Sequence, residues 1–313
     1  MSRNFLLVIL CVSIVSGALS SPAVAEKGRT LGGYRFVPMS NIKDPFIVTR
    51  FDSYTGIATA SDVEFPVIVI PTEPPDTLLS LNGDFLFVVA HFNFSYAVHP
   101  RIMVSFDAGG ASRVGTSGQA LISQGVTAVK TVGIGATVEL WRNDRFLVSG
   151  MLEFGFTDGI VIDFIKFVEE ILDGNVENPS IISVVDGGTV DGGFLAALAL
   201  NEWAGIMGTG QIGATDLEGI SDELRWRVTV AGSVDFGQRG NAPVGLALEF
   251  DADRLKPGTM GTNTSVGVGL GVFYTGKEDL NLGVEIRGSR LPLQNWDTVA
   301  YPMSYGLSMV YFF

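Results

Sequence analysis

Tyr305-Gly306-Leu307-Ser308-Met309-Val310-Tyr311-Phe312-Phe313 closes the chain, and its larger apolar side chains fall on every second position. A period of two places successive side chains on opposite faces of an extended strand. The same period recurs upstream. Val132, Ile134, Ala136, Val138 and Leu140 alternate with Gly133, Gly135, Thr137, Glu139 and Trp141. Leu224, Trp226, Val228, Val230, Val234 and Phe236 alternate with Arg225, Arg227, Thr229, Ala231, Ser233 and Asp235. Val244–Phe250, Val266–Tyr274 and Leu280–Ile286 follow the same rule. On these strands every Arg, Glu and Asp lies on the second face.

That purge of charge from one face decides what surrounds the strands. Arg or Lys at mid-depth on a lipid-facing wall costs about 2–4 kcal/mol, so hydrocarbon would enforce the pattern. The outer face of a soluble sandwich carries more Lys and Glu than these Gly-, Ser- and Thr-lined stripes. Composition agrees: mean hydropathy is +0.35, 39 residues are Gly and only 17% are charged. Apart from the first residues, no run approaches the roughly 18 apolar residues of a helical span. The sequence therefore predicts an all-β fold, an antiparallel transmembrane β-barrel.

Residues 1–25 read as a secretory signal peptide, with Arg3, the apolar run Phe5–Val15 and the small-residue site Ala23-Val24-Ala25. A retained anchor is the weaker reading, and Cys11 follows Leu10 rather than a lipoprotein site. Cys11 is the only cysteine, so the exported chain has neither disulfides nor thiolate metal sites. A net charge of −13 argues against nucleic acid as partner.

Twelve strands are expected near 63–71, 84–98, 101–109, 129–142, 145–157, 190–201, 204–215, 223–236, 242–253, 264–275, 279–290 and 303–313. Ten or fourteen remain compatible, since Pro66 and Pro71 weaken the first. Short and long connections alternate, as in single-chain barrels with short periplasmic turns. The barrel then occupies 63–313, and 26–62, which has no sustained period, forms a tail or lumenal plug, or else one further hairpin of Phe46–Phe51 with Gly56–Ala60. The long connection 158–189 is expected outside. Ile160, Val161, Phe164, Ile165, Val168, Ile171 and Leu172 would share one side of a helix in it, packed on the rim or folded into the mouth as a lid. Its acidic residues suit turns such as Asp173-Gly174 and Asp186-Gly187 better than a calcium or magnesium site.

The second faces give a candidate lumen: His91, Glu139, Glu153, Arg225, Arg227, Glu249, Asp251, Glu285 and Arg287, with Asp107, Asp235 and Asp253 beside them. A 237–241 turn would set Arg227 opposite Asp251 and Arg225 opposite Asp253. Such charges either cross-link the wall or line an aqueous path, where the excess of acids would favour cations. No Gly-x-Ser-x-Gly, His-Glu-x-x-His or phosphate loop occurs, so neither enzyme chemistry nor a cofactor or metal is expected.

The last strand, Tyr305, Leu307, Met309, Tyr311 and Phe313, resembles the assembly signal of bacterial outer-membrane barrels. That resemblance implies export through the periplasm, contact with the barrel assembly machinery, and a setting of outer-membrane lipid and lipopolysaccharide. Asp44-Pro45-Phe46 and Thr55-Gly56, ahead of the strands, are similar to segments of barrels grouped with hydrophobic-compound transporters, including those linked to phenol degradation. The implied function is a channel for passive passage of small solutes, hydrophobic ones included. The alternative is a closed barrel for surface display, adhesion or envelope structure.

Overall fold

A computed structural model describes residues 28–70, 76–114, 125–162, 182–217, 220–240, 242–254, 264–292 and 299–313. The segment read as a signal peptide lies outside them. Twelve long strands form the wall: β1 (Arg50–Ile70), β2 (Asp76–His99), β3 (Ile102–Val114), β4 (Gly125–Arg142), β5 (Phe146–Ile162) and β6 (Ile182–Asn201). They continue as β7 (Ala204–Leu217), β8 (Ile220–Asp235), β9 (Val244–Arg254), β10 (Thr264–Tyr274), β11 (Leu280–Pro292) and β12 (Met303–Phe312). Each pairs antiparallel with its neighbours in sequence, and β12 pairs with β1 from Met303↔Thr59 to Phe312↔Arg50. The sheet closes on itself and leaves no edge, as a bilayer requires.

Side chains alternate in exposure along the wall. On β10, Val266, Val268, Leu270, Val272 and Tyr274 are exposed while Gly267, Gly269, Gly271 and Phe273 are buried. On β9, Leu246, Leu248 and Phe250 face out, with Ala247 and Glu249 facing in. Exposed apolar surface around a whole closed sheet is what water rejects and lipid accepts. Aromatic contacts gather at the end with short turns: Trp141–Phe146 at 5.3 Å, Phe94–Phe313 at 6.3 Å and Tyr311–Phe313 at 5.0 Å.

Several expectations are corrected. β1 starts at Arg50, not at 63, so the segment ahead of the wall is shorter than 26–62. Its phase was hidden because Ser53 and Thr55 stand on the outer face among apolar neighbours. Pro66 is accommodated beside a register shift between Pro66 and Ile68. β5 and β6 pair up to Ile162↔Ile182, so the 158–189 connection shrinks to 163–181, outside the described residues. Ile160 lies in a strand rather than a helix, and Asp186-Gly187 pairs with Asp158 and Thr157 instead of turning. A bulge between Glu139 and Trp141 rotates Trp141 to the outer face, 51% exposed.

Candidate functional site: a plugged lumen

Residues 28–49 enter the barrel. They begin with a hairpin, Thr30–Leu31 against Tyr34–Arg35, turned at Gly32 and Gly33, whose φ values of 55° and 85° demand glycine. Leu31, Tyr34, Phe36, Val37, Met39, Ile42, Phe46 and Val48 then form one apolar cluster with wall residues such as Leu147, Ala197, Met207, Ala231 and Phe273. Tyr34 and Phe36 lie 4.6 Å apart, and a side chain at Gly205 would strike both rings. This plug packs against the inner face of the wall, and Phe46–Phe51 and Gly56–Ala60 form no hairpin, since β1 runs through Arg50–Ile70.

Polar contacts tie the plug to strands distant in sequence. The Tyr34 hydroxyl and Ser233 Oγ are 2.7 Å apart. Arg35 donates from Nη2 to the Thr275 carbonyl at 2.9 Å, and Gln238 donates from Nε2 to the Arg35 carbonyl at 3.0 Å. Ser40 donates from Oγ to Glu285 at 2.6 Å, Asn41 from Nδ2 to Glu249 at 3.0 Å, and Ser149 from Oγ to the Pro45 carbonyl at 2.7 Å. Lys43 pairs with Glu153, and Arg50 pairs with Asp44. Burial lifts the Tyr34 phenol above its ordinary value. Burial, then the Arg35 charge, lowers Arg29 to about 9, where it lies 3.7 Å over the Phe312 ring.

Above the plug the wall is charged. Arg287 donates from Nη1 to Glu249 at 2.6 Å and also pairs with Asp251. Arg227 donates from Nη2 to Asp253 at 2.8 Å, and Arg225 donates from Nε to Asp191 at 2.8 Å. Asn93 donates from Nδ2 to Asp107 at 2.8 Å, and His91 Nε2 lies 3.5 Å from the same carboxylate. Glu139 lies 3.6 Å from Arg142, near the short-turn end. Between plug and wall is a cavity of about 410 Å³ lined by plug residues 38–44 and by β1, β2, β3, β11 and β12 side chains among others.

The nine candidate residues thus face inward but do not form one ring. His91, Arg227, Glu285 and Arg287 line the cavity; Glu249, Asp251 and Glu153 stand behind it as partners. The expected pairing of Arg227 with Asp251 is displaced: Arg227 faces Asp253, and Arg225 bonds Asp191. The cause is the turn, which runs from Asp235 to Val244. Asp235 accepts from the Gly237 amide at 2.9 Å and from Gln238 at 2.9 Å, and Gly240 sits at φ 83°. Asp191, Lys43, Asp44, Arg50 and Asp52 were missed. On β6 both phases are apolar, because Ala197 and Ala199 meet the plug and Leu195 lines the cavity. On β12, Tyr305, Leu307 and Tyr311 face outward and Met309 is half-buried; Phe313, just past the strand, is exposed as well.

No family model matches the chain, and no curated protein matches it. Among solved structures it is similar to a Pseudomonas aeruginosa FadL homologue, at 11% identity and a TM-score of 0.49, over 93% of this chain and 98% of that one. The translocator domain of the autotransporter NalP from Neisseria meningitidis matches at 11% identity and 0.49, over 85% and 89%. The KdgM porin matches at 8% and 0.42, over 83% and 99%. By its own closed register and apolar outer band, the chain is a transmembrane β-barrel.

Proposed function

We propose that this protein is an outer-membrane channel for the passive passage of small solutes, with residues 28–49 as its internal constriction. One observation carries the reading: a cavity of about 410 Å³ lies at mid-lumen against a plug held by hydrogen bonds and ion pairs. The plug's hairpin pairs only with itself and not with the strands of the wall, so the plug can shift without breaking the ladder that closes the ring. Met39, Met103 and Leu195 give the cavity an apolar flank that supports solutes with a hydrocarbon body. The chain would reach the membrane through the periplasm after losing 1–25. Tyr305, Leu307, Met309, Tyr311 and Phe313 would be read by the assembly machinery, and the outer face would meet lipid and lipopolysaccharide.

The apolar cluster that fills the short-turn half of the lumen favours a second reading, a closed barrel serving surface display, adhesion or envelope structure. Planar-bilayer recordings of refolded mature protein, and of a variant lacking residues 28–47, separate the two. Brief, small openings that become large and steady on deletion, with selectivity altered by Arg227→Glu, are expected. Silence from both proteins would sink the channel.

A further inference from the structure

Resting on the channel reading, we propose that the mid-lumen cavity takes small organic cations, amines with a hydrocarbon body, whose ammonium group is received along the row Asp52, Asn93 and Asp107. The resident cations are already committed. Lys43 is held by Glu153, Arg50 by Asp44 and Asp52, Arg227 by Asp253, and Arg287 by Glu249 and Asp251. Two carboxylates of the cavity lining have no lysine or arginine bonded to them. Asp107 has only Asn93 and His91, and Glu285 has the Ser40 amide and hydroxyl. Lining and immediate partners together hold eight carboxylates against four Lys and Arg side chains. The cavity is short of positive charge.

The register places the receiving groups. Asp52 pairs with Asn93, and Asn93 with Asp107, so the two carboxylates flank one amide on β1, β2 and β3. Two interstrand spacings put their backbones about 10 Å apart. No three His, Cys, Asp or Glu side chains among the described residues converge on a metal site. An ammonium group brings three N–H donors to this row of acceptors and leaves its hydrocarbon body to the apolar lining. Asp52 Oδ1 and Asp107 Oδ2 have no hydrogen-bond partner. Nor does Ser308 Oγ, on a cavity-lining residue only 6% exposed whose strand position pairs with Tyr54, two residues from Asp52. Unmet buried acceptors cost free energy that an incoming N–H recovers. Met39, Met103 and Leu195 take the hydrocarbon, and the volume falls within the range of small-ligand sites, about 300–1,000 Å³.

Three probes of one size test this by calorimetric titration into refolded mature protein in detergent: 2-phenylethylamine, 2-phenylethanol and phenylacetate. The amine is expected to bind at least tenfold more tightly than the other two. Asp107→Asn, which keeps the shape of the side chain, should remove that preference, and Asp52→Asn should weaken it. Retained heat-modifiable gel migration certifies the fold of each variant, and Asp107→Asn decides alone if Asp52→Asn, by loosening Arg50, fails to fold. Equal binding of all three probes, or an amine affinity untouched by Asp107→Asn, overturns the inference. Failure here with steady conductance from the plug-deleted barrel leaves the channel standing. Selective amine binding by an electrically silent protein would do the reverse.

Discussion

Glu249 is fully buried in the wall of a barrel, and Arg287 is what makes that tolerable. The guanidinium reaches across the glycines of β10 to bridge Glu249 and Asp251, both on β9, and Asn41 of the plug adds a donor from the lumen. Removing the cation leaves two carboxylates enclosed without a counter-charge, a change that costs about 3–5 kcal/mol when a buried pair is broken. Arg287→Ala is therefore expected to lower stability by about 3 kcal/mol, read by urea unfolding in micelles with tryptophan fluorescence. Arg287→Lys should retain part of the loss. This cluster was legible because Glu249, Asp251, Glu285 and Arg287 all interrupt regular apolar alternation. Arg225 was legible as an inward group but not its partner, since a longer turn at Asp235–Val244 moved the register by two residues along β9. Lys43 and Asp44 were not legible at all, because a plug residue's partner is chosen in three dimensions.

At the level of the strand, β10 shows the rule most cleanly: outer Val, Leu and Tyr against inner Gly and Phe. Leu270→Arg would place a cation near mid-strand on the lipid side, and a loss of about 2–4 kcal/mol is expected. Reversible unfolding in short-chain phospholipid vesicles measures it, with a change below 1 kcal/mol counting against hydrocarbon contact at that position. Strands β8 to β12 were readable nearly to their ends because their inner positions are mostly Gly, Ser, Thr, Ala or charged, with Phe273, Val310 and Phe312 as the large apolar exceptions. β1 and β6 were less so. Polar Ser53 and Thr55 stand outside on β1, while apolar Leu195, Ala197 and Ala199 stand inside on β6, and either inversion blurs a period of two. The bulge at Glu139/Trp141 defeats any fixed phase, since one extra residue swaps the faces beyond it.

For the molecule as a whole, twelve strands and both ends of the wall at the short-turn rim followed from the alternation of connection lengths. A plug was one reading of the segment ahead of the wall, but its contacts were not legible, because they join Tyr34 to Ser233 and Ser40 to Glu285, some 200 residues or more away. Barrel and plug are nevertheless separable in energy. Backbone hydrogen bonds close the ring without help from 28–49, whereas Phe273, Met207 and Leu147 lose apolar cover if the plug is cut away. Deletion of residues 28–47 should leave a protein that still migrates differently boiled and unboiled, with a lower temperature for that transition. A deletion variant that never forms the fast-migrating species would mean the plug is needed to build the wall.

The described wall is not level at its far rim. β4, β5 and β6 run 18, 17 and 20 residues, whereas β10, β11 and β12 across the ring run 11, 13 and 10. At about 3.3 Å per residue and a tilt near 40°, one flank overtops the other by about 18 Å. Among the described residues the far rim is lowest at β9 to β12 and tallest at β1, β2 and β4 to β6, so its height changes abruptly where β12 meets β1.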